Sequence, residues 1–484
     1  MSLIVQNTLT NKREEFIPLQ EGKVSMYACG VTVYDVCHIG HGMQAIVYDV
    51  IRNYLAYKGY AVTYVRNYTD VDDKIIQRAN ELGVGALEHS EQMIREADED
   101  LSRLGVAPAD VEPKVSDHIP EIIELISDII EKGGAYEAGG DVYFDVKSFP
   151  EYGCLSNRSC EEMQAGVRVE VNPNKKDPSD FALWKKAKEG EISWDSPWGK
   201  GRPGWHIECS ALAIKYLGRN FDIHGGGRDL IFPHHENEIA QSVKGTGDSF
   251  ATYWIHNGLV KVEGRKMSKS FNNFLSIRDA VSQFYPEAIR FTILSHHYSS
   301  SIDFSEKSFH DAYHRLIYFY NTFNKIDQMF EKIPDYPKQV PVNVKIPDIQ
   351  AEFVDAMDDD FNTVQALAKI GSVFKLINDL IAAKKPKRKM KIHALKTMQS
   401  ELKKVLKILG LCVRPPSEAL EEIQQYLIKS KKIDLDTVKT LVAERETARQ
   451  NKDWSQADEL RDQLLNLGVC VMDNPEGTQW QVLP

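Results

Sequence analysis

The sequence predicts an α/β protein. Its first domain is built on a parallel β-sheet with an inserted α+β element, and a helical bundle and a small C-terminal α+β domain follow. Strand-like and helix-like segments alternate at the N-terminus, and helical spacing dominates after residue 305. Between them, residues 115–200 contain short alternating segments at 141–146, 167–171 and 181–184. The 484 residues leave room for roughly three domains of about 150 residues each.

The N-terminal segments form a strand–helix–strand unit. Residues 24–29 are rich in strand formers, apolar residues recur at helical spacing from Met43 until Gly59, and residues 61–66 predict the next strand. Such a unit places two parallel strands side by side with a right-handed crossover. Residues 67–74 then open a second helix, and helix capping and ligand contact are equally good interpretations of them.

Two histidines separate the first strand from the first helix in the motif His38-Ile39-Gly40-His41. Open parallel sheets bind ligands at their carboxyl edge, and the free N–H groups of a helix N-terminus favour anions. The motif therefore predicts a site for nucleotide phosphates, although the G-x-G-x-x-G spacing of dinucleotide sites is absent. The structural alternative is a turn with two surface histidines.

Residues 201–250 add candidate metal ligands. A helix predicted to begin at Pro233 places His234 and Glu238 on one face, because they are four residues apart. Cys209 lies on another predicted helix, and Cys29 ends the first strand. Two thiolates, one imidazole and one carboxylate would make a tetrahedral zinc site. From spacing alone, helix-capping histidines and a core cysteine are the favoured explanation. Other side chains could replace these ligands, namely His235, Glu236 and Cys37.

A basic loop follows two predicted strands at residues 252–256 and 258–262. In this loop, Gly264-Arg265-Lys266-Met267-Ser268-Lys269-Ser270, two ammonium groups three residues apart flank a hydroxyl and suit a departing pyrophosphate. Mobility of the loop would suit a step that closes and then releases product. The common alternative for such a run is a solvated surface loop.

Composition and charge exclude several classes of protein. Hydrophobic residues make up 42% of the chain, and no run of about 18 apolar residues predicts a membrane span. Seven cysteines without framework spacing argue against a disulfide scaffold, and no secretory signal is recognised, so we expect a cytoplasmic protein. The net charge of −11 requires that a nucleic-acid partner meet a local basic face. Cys154 and Cys160 are interpreted as structural, because no second cysteine pair follows them.

The HIGH motif at residues 38–41 and the KMSKS motif at residues 266–270 together resemble those of class I aminoacyl-tRNA synthetases. A closer resemblance to cysteinyl-tRNA synthetases extends over essentially the whole chain. It is carried by the segments YACGVTVYDVCHIGHG, YVRNYTDVDDKI, GRPGWHIECSA, FDIHGGGRDLIFPHHENEIAQ and AMDDDFNT. The implied domains are a Rossmann-like catalytic domain with the KMSKS and stem-contact region (1–114 and 201–305), a connective element (115–200), a helical bundle (306–413) and an anticodon-binding domain (414–484).

The resemblance also implies roles for individual side chains. A zinc ion in the active site would be held by Cys29, Cys209, His234 and Glu238. The implied catalytic residues are His38, His41, Lys266 and Lys269, and the implied ATP contacts are Gly40, His41, Asp229 and Lys269. Trp205 and His224 would line the amino-acid pocket. After KMSKS this chain has Phe271-Asn272-Asn273-Phe274, where the family commonly has Leu-Gly-Asn; the departure concerns the mobility of the loop, not its role.

The implied reaction has two steps. L-Cysteine and ATP, with Mg²⁺, give cysteinyl-adenylate and pyrophosphate, and a ribose hydroxyl at the 3′ end of tRNA(Cys) then attacks the activated carbonyl. Zinc would select the substrate thiol over the hydroxyl of serine, which a hydrophobic pocket discriminates poorly. Selectivity on the order of 10⁴ could then come from binding alone, in agreement with a short insertion that has no room for an editing domain. The family also implies a monomer.

The C-terminal part should meet the tRNA. Its predicted helices are residues 306–331, 347–383, 392–409, 417–430, 434–450 and 454–467, and its predicted strands are residues 469–472 and 478–482. The basic run at 384–391 is either a phosphate contact or a solvated loop. Trp454 and Trp480 could stack on bases, although core positions are the favoured interpretation.

Two other functions compete with this one. A ligase that uses the same adenylate chemistry could pass cysteine to a small amine, but the anticodon-type domain at residues 414–484 favours tRNA. A non-catalytic zinc- and RNA-binding protein would have no use for intact HIGH and KMSKS motifs.

Overall fold

The computed structural model describes residues 2–157, 173–262, 264–266, 274–333, 335–338, 344–474 and 477–484. The predictions for Cys160, for a strand at 167–171, for Lys269 and for the side chain of Lys266 lie outside what is described. The chain forms two compact units. The first comprises Met1–Ile277, His296–Ile302 and Val354–Gln365, and the second comprises Arg278–Ser295, Asp303–Phe353 and Ala366–Pro484.

Strands and helices alternate in the first part of the chain, and helices dominate the second. The strands are β1 (Ile4–Asn7), β2 (Lys12–Glu15), β3 (Lys23–Thr32), β4 (Ala61–Thr69), β5 (Ala135–Ala138), β6 (Asp141–Phe144), β7 (Phe181–Lys186), β8 (Gly201–Pro203), β9 (Phe221–Gly227), β10 (Ala251–Asn257), β11 (Val260–Val262), β12 (Arg265–Lys266), β13 (Ile302–Phe304), β14 (Val469–Asn474) and β15 (Gly477–Val482). The helices are α1 (Ile39–Tyr57), α2 (Asp73–Leu82), α3 (Ala86–Arg103), α4 (Ile119–Glu131), α5 (Trp205–Leu217), α6 (Glu236–Thr246), α7 (Ile277–Gln283), α8 (Pro286–Leu294), α9 (Glu306–Lys332), α10 (Ile349–Met357), α11 (Thr363–Ala382), α12 (Arg388–Leu409), α13 (Pro416–Ser430), α14 (Leu435–Gln450) and α15 (Trp454–Asn466). None of the described helices has the length and apolar character needed to cross a membrane.

Four parallel strands form the central sheet of the first unit, in the order β10-β9-β3-β4. Strand β9 is buried along its whole length, as expected for a parallel sheet covered on both faces. The predicted α/β fold with a parallel sheet is thereby confirmed. Strands β10 and β11, predicted at residues 252–256 and 258–262, belong to different sheets. The predicted insertion at 115–200 contributes β5, β6 and β7 to an antiparallel sheet, and β8, directly after the insertion, completes it.

The pairing of β3 with β4 is irregular between Ala28 and Val31. Within this irregularity, Gly30 donates its N–H to the side-chain oxygen of Asn67 at 2.9 Å. A Cβ atom at residue 30 would lie 1.5 Å from the backbone carbonyl oxygen of Asn67, so only glycine lets the two strands approach this closely. This close approach fixes the carboxyl-terminal part of β3, which contains Cys29 and precedes the histidine motif.

Helix α1 begins at Ile39, four residues before the Met43 start predicted from apolar spacing. His38 is the N-cap residue: its Nδ1 atom accepts hydrogen bonds from the backbone N–H groups of Gly40 and His41, at 3.1 and 3.3 Å. The Nδ1 atom of His41 accepts in turn from the N–H of His38 at 3.4 Å. The predicted start was wrong because the usual N-cap residues are Ser, Thr, Asp and Asn, and a histidine cap has no recognised pattern.

Two other helix boundaries differ from the prediction. Helix α6 begins at Glu236 and not at Pro233, because Ile231–His235 forms a wide turn ahead of it. The single helix predicted at 347–383 is divided into α10 and α11, because Asp360 and Phe361 adopt positive φ angles of 58° and 52° between them.

The turn between α10 and α11 belongs to the first unit and is bonded to its N-terminal strand. Ile4 donates its N–H to the carbonyl oxygen of Asp358 and accepts the N–H of Asp360, both at 2.9 Å. The buried Asp358 carboxylate also accepts the Tyr54 hydroxyl at 2.6 Å and pairs with Lys58 Nζ at 2.9 Å. The AMDDDFNT segment is therefore a polar anchor of the first unit.

In the second unit, the basic run at 384–391 ends in a buried lysine. The ammonium group of Lys391 donates to the carbonyl oxygen of Leu380 at 2.7 Å and to that of Ala383. It therefore satisfies carbonyl groups at the C-terminal end of α11. Neither interpretation of the run, as a phosphate contact or as a solvated loop, applies to this lysine.

The C-terminal residues form α14, α15 and the antiparallel hairpin of β14 with β15. Arg445 makes two hydrogen bonds to the Asp473 carboxylate, at 2.8 and 2.9 Å, and so joins α14 to the hairpin. Trp480 is partly buried in β15. Trp454, in contrast, is 57% exposed, which makes its favoured interpretation as a core residue wrong, and the Arg449 guanidinium lies 5.8 Å from its ring centroid.

We expect Gly30→Ala to lower the thermal stability of the protein, because the added methyl group collides with backbone atoms of Asn67. Overpacking of this kind costs about 1–3 kcal/mol. Gly371→Ala is the control: Gly371 lies inside α11, its Cβ would meet only Arg315 Nη1 at 3.6 Å, and alanine in a helix interior stabilises by about 0.5–1 kcal/mol. The midpoints of thermal unfolding of the two variants should shift in opposite directions from that of the wild type. A Gly30→Ala midpoint at or above the wild-type value would contradict the steric argument.

Candidate active site and metal centre

A cleft of about 340 Å³ opens at the carboxyl edge of the central sheet, where parallel sheets bind their ligands. Segments that follow all four strands contribute to its wall. The lining residues are Gly30, Thr32, Tyr34, His38, Gly40, His41, Gln44, Lys74, Trp205, Gly227, Asp229, Leu230, Asn257, Gly258, Leu259 and Val260.

The two histidines of the HIGH motif stack in this wall, with ring centroids 3.7 Å apart and an interplanar angle of 16°. Each Nδ1 atom accepts a backbone N–H group, so the proton of each ring is on Nε2. Burial lowers the pKa of His41 well below its ordinary value, and the neighbouring His38 ring lowers it further. Two uncharged N–H donors thus lie at the N-terminus of α1, where the helix itself favours an anion.

Four buried side chains converge beside the cleft: Cys29 from β3, Cys209 from α5, His234 from the turn before α6, and Glu238 from α6. Their candidate ligand atoms all lie within 4.8 Å of one another. The two Sγ atoms are 3.6 Å apart, the Cys29 Sγ is 3.3 Å from Glu238 Oε1, and His234 Nε2 is 3.0 Å from the same oxygen.

The donor set and its spacing fit a zinc ion. Thiolate, imidazole and carboxylate groups are the ligand types of protein zinc sites. Zn–S bonds of about 2.3 Å in a tetrahedron separate two sulfur ligands by about 3.8 Å. The 3.6 Å between the Cys29 and Cys209 sulfurs is close to this value, so a small expansion of the cluster would accommodate the ion.

The electrostatics of the cluster also suit a cation. Burial opposes ionisation of Glu238, but the imidazoles of His224 and His234 hold the pKa of its carboxyl well below the ordinary value. The hydrogen bond from Cys29 lowers the pKa of Cys209 to about 6, whereas burial raises the pKa of Cys29 well above its usual range. Burial alone would lower the pKa of His234, yet the Glu238 charge raises it to about 10. A divalent cation would replace the proton that His234 holds beside these groups.

A second group of ligand types overlaps the first and consists of Cys29, His224, His235 and Glu238. His224 Nε2 is 2.7 Å from the Oε2 atom of Glu238, and His235 Nδ1 is 2.8 Å from His256 Nε2. The first group contains both thiols, and soft thiolate ligands select zinc, so we favour it as the metal site. His224 then orients the Glu238 carboxylate from the opposite oxygen.

The remaining predicted site residues occupy different positions. Gly40, Trp205 and Asp229 lie in the cleft wall. Trp205 also packs on His234, with ring centroids 4.3 Å apart, and so connects the cleft to the metal cluster. His224, in contrast, is completely buried and is not part of the cleft wall.

The backbone of Lys266 forms part of β12, which pairs antiparallel with β11. Of the alternative ligands, Glu236 instead accepts the backbone N–H groups of Gly153 and Ser156, at 2.9 and 2.8 Å. Cys37 is buried but belongs to neither group of ligand types found among the described residues.

Sequence reasoning missed several residues around the site. Gln44 donates from Nε2 to the carbonyl oxygen of Cys29 at 2.6 Å, and its position inside a helix gives no signal of this role. Asn67 bonds Gly30 and lies 3.7 Å from Cys209 Sγ, and Lys74 lines the cleft. Both belong to the segment 67–74, for which ligand contact was one of two interpretations.

Comparison with known families assigns most of the chain. Residues 15–314 match the family of the class I (C) tRNA synthetase catalytic domain. Residues 352–413 match the DALR domain, and residues 436–480 match the cysteinyl-tRNA ligase anticodon binding domain.

Curated relatives named cysteine–tRNA ligase match over their whole length. The relative from Pelobacter propionicus is 48% identical over 492 residues, covering 100% of both chains, and that from Thermodesulfovibrio yellowstonii is 49% identical over 488 residues, covering 99% of both. Among solved structures, Mycobacterium tuberculosis methionyl-tRNA synthetase with methionyl-adenylate shares the fold, with a TM-score of 0.61 and 14% identity over 84% of this chain and 94% of that one. From its sequence relatives, its matched domains and its fold, the chain belongs to the cysteinyl-tRNA synthetase family of class I aminoacyl-tRNA synthetases.

Proposed function

We propose that the protein uses ATP to join L-cysteine to the 3′ end of tRNA(Cys), and that a zinc ion selects the substrate thiol. The observation that carries this proposal is the adjacency of two sites. A cleft with the HIGH histidines lies next to a buried cluster of two thiols, an imidazole and a carboxylate, with Trp205 in contact with both. Activation of a carboxylate by ATP requires the first site, and recognition of a thiol requires the second.

In the first step the cysteine carboxylate attacks the α-phosphorus of ATP, and pyrophosphate leaves. Phosphoryl transfer depends on positioning and charge stabilisation, so the protein needs donors for phosphate oxygens and no nucleophile of its own. His38 and His41 present Nε2–H groups at the N-terminus of α1 for this purpose. Lys266 and Lys269 would hold the departing phosphates together with Mg²⁺. The nucleotide contacts assigned from the cleft wall are Gly40 and Asp229.

Recognition of the thiol is assigned to Cys29, Cys209, His234 and Glu238. When bound, zinc would supply a Lewis acid that prefers a thiolate to a hydroxyl and so separates cysteine from serine. Trp205 lies against His234, so the amino-acid side chain would pass its ring to reach the cluster. The four side chains are buried, and electrostatic interactions are stronger in such a low-dielectric setting than in water.

In the second step a ribose hydroxyl of the terminal adenosine attacks the activated carbonyl, the acyl–phosphate bond breaks and AMP leaves. This step also needs no protein nucleophile. The C-terminal match at residues 436–480 supports tRNA as the acceptor, because a small amine would not require an anticodon-binding domain. In this region the exposed ring of Trp454, beside Arg449, offers a surface on which a base could stack. Cytoplasmic location and a monomeric state stay predictions.

We expect Cys209→Ser to lose zinc and the discrimination between cysteine and serine, because a hydroxyl is a poor replacement for the readily ionised thiol. Zinc content after dialysis and ATP–pyrophosphate exchange with each amino acid measure the two effects. Cys470→Ser, in the terminal hairpin, is the matched control and should keep one zinc per chain. A Cys209→Ser protein with full zinc content and unchanged selectivity would show that the cluster is not the thiol site.

We expect His38→Asn to reduce cysteine-dependent ATP–pyrophosphate exchange by about 10²–10³-fold, because asparagine lacks the Nε2–H donor. Asparagine is a good N-cap residue, so this variant should keep the stability of α1. His38→Ala removes both functions and should also lose about 1 kcal/mol of stability. Exchange rates and thermal unfolding, measured on both variants, separate the two effects; wild-type exchange by His38→Asn would remove His38 from the catalytic assignment.

A further inference from the structure

The cleft contains a cation that the proposed mechanism does not use. Among the lining residues in the described ranges, Lys74 is the sole lysine or arginine. It is the second residue of α2, directly after β4, and its side chain is exposed. We propose that Lys74 binds a phosphate of the substrate, and that this phosphate is a phosphodiester of the tRNA acceptor end. This inference rests on the proposed function.

The acidic neighbours of Lys74 are occupied by other partners. The Asp73 carboxylate pairs with Arg202 and with Lys185 Nζ, the latter at 2.6 Å. Asp72 caps α2 by accepting the backbone N–H of Lys74 at 2.9 Å. Within the described ranges, no carboxylate pairs with the ammonium group of Lys74 itself, so its charge is available to a ligand.

An aromatic ring positions this charge. The Nζ atom of Lys74 lies 5.1 Å from the ring centroid of Tyr34, which is itself a lining residue of the cleft. A cation over a ring face is attracted by the ring without being neutralised by it. The ammonium group is therefore held in the cleft wall with its N–H donors available for an anion. ATP and tRNA both carry phosphate groups, so a phosphate is the anion expected there.

The order of the strands indicates which substrate brings that phosphate. Asp229, one of the assigned nucleotide contacts, follows β9, and the cleft wall continues beyond it to residues 257–260 at the end of β10. The HIGH motif follows β3, in the middle. Lys74 follows β4, the opposite edge, which is two strand spacings or about 10 Å from β9. A nucleotide that contacts Asp229 and the HIGH motif spans the ends of β9 and β3 and leaves the end of β4 free, so an incoming acceptor end can approach the activated carbonyl from the side of Lys74.

The experiment compares Lys74→Met, Lys74→Arg and the control Arg78→Met in the zinc-loaded enzyme. Arg78 is an exposed cation one turn further along α2 and does not line the cleft. Cysteine-dependent ATP–pyrophosphate exchange reports the first step. The kcat/KM for tRNA in charging, together with single-turnover transfer from preformed cysteinyl-adenylate, reports the second, and both are measured over a range of salt concentrations.

Lys74→Met should leave the exchange rate and the KM for ATP within about twofold of the wild type and lower kcat/KM for tRNA by about 10- to 100-fold. Loss of one phosphate contact should also reduce the dependence of log kcat/KM on log salt by about 0.7, which a purely structural role of the lysine would not do. Lys74→Arg should restore most of the charging activity, and Arg78→Met should behave as the wild type.

Two results would overturn the inference. Charging by Lys74→Met at the wild-type rate would show that Lys74 binds no substrate phosphate. A loss in exchange as large as the loss in charging would assign the contact to ATP and not to the acceptor end. The proposed function fails separately, if the wild-type enzyme itself shows no cysteine-dependent exchange.

Discussion

The buried carboxylate of Glu238 is the group on which the rest of the site depends. A negative charge without solvent is costly unless neighbouring groups compensate it. His224 and His234 approach its two oxygens at 2.7 and 3.0 Å, and Cys29 approaches one of them at 3.3 Å. These partners come from β9, from the turn before α6 and from β3, so several elements of the first unit must be in place before the charge is tolerated. A cation bound at the proposed metal site would therefore be coupled to the folding of this unit.

The histidines in the wall of the adjoining cleft differ in charge from the Glu238 carboxylate. Both are fixed by backbone N–H groups as uncharged rings, and burial keeps the pKa of His41 low. The hydrogen bond from an uncharged donor can strengthen as negative charge develops on a phosphate in the transition state. The same donor binds the product phosphates less tightly than an ammonium group would. In the proposed mechanism, the protein thus separates a permanent charge, in the cluster, from neutral donors at the place where bonds change.

Much of the fold could be predicted, because apolar spacing is a local property. The predicted helix at 454–467 is observed at Trp454–Asn466, and the terminal strands appear where alternation placed them. Several of the failures concern polar residues with distant partners. Asp360 sits in a turn bonded to β1, and Lys391 turns inward onto carbonyl groups of α11. Spacing suggested the ligand types of the candidate metal site but not which side chains supply them. The Glu236 carboxylate is not available as a ligand, because it accepts backbone N–H groups more than 75 residues away, which no local pattern reveals.

Strand β1 pairs with β2 on one side, and on its other edge the backbone of Ile4 bonds to that of Asp358 and Asp360. During synthesis, the residues that bond to Ile4 are therefore added more than 350 residues after it. At about 5–20 residues per second, this interval lasts roughly 20–70 s, during which a nascent first unit presents an open strand edge. Such an unpaired edge is a template for pairing with another chain. A chain released before residue 358 lacks the residues that bond to the backbone of Ile4, so this edge of its first unit is left open.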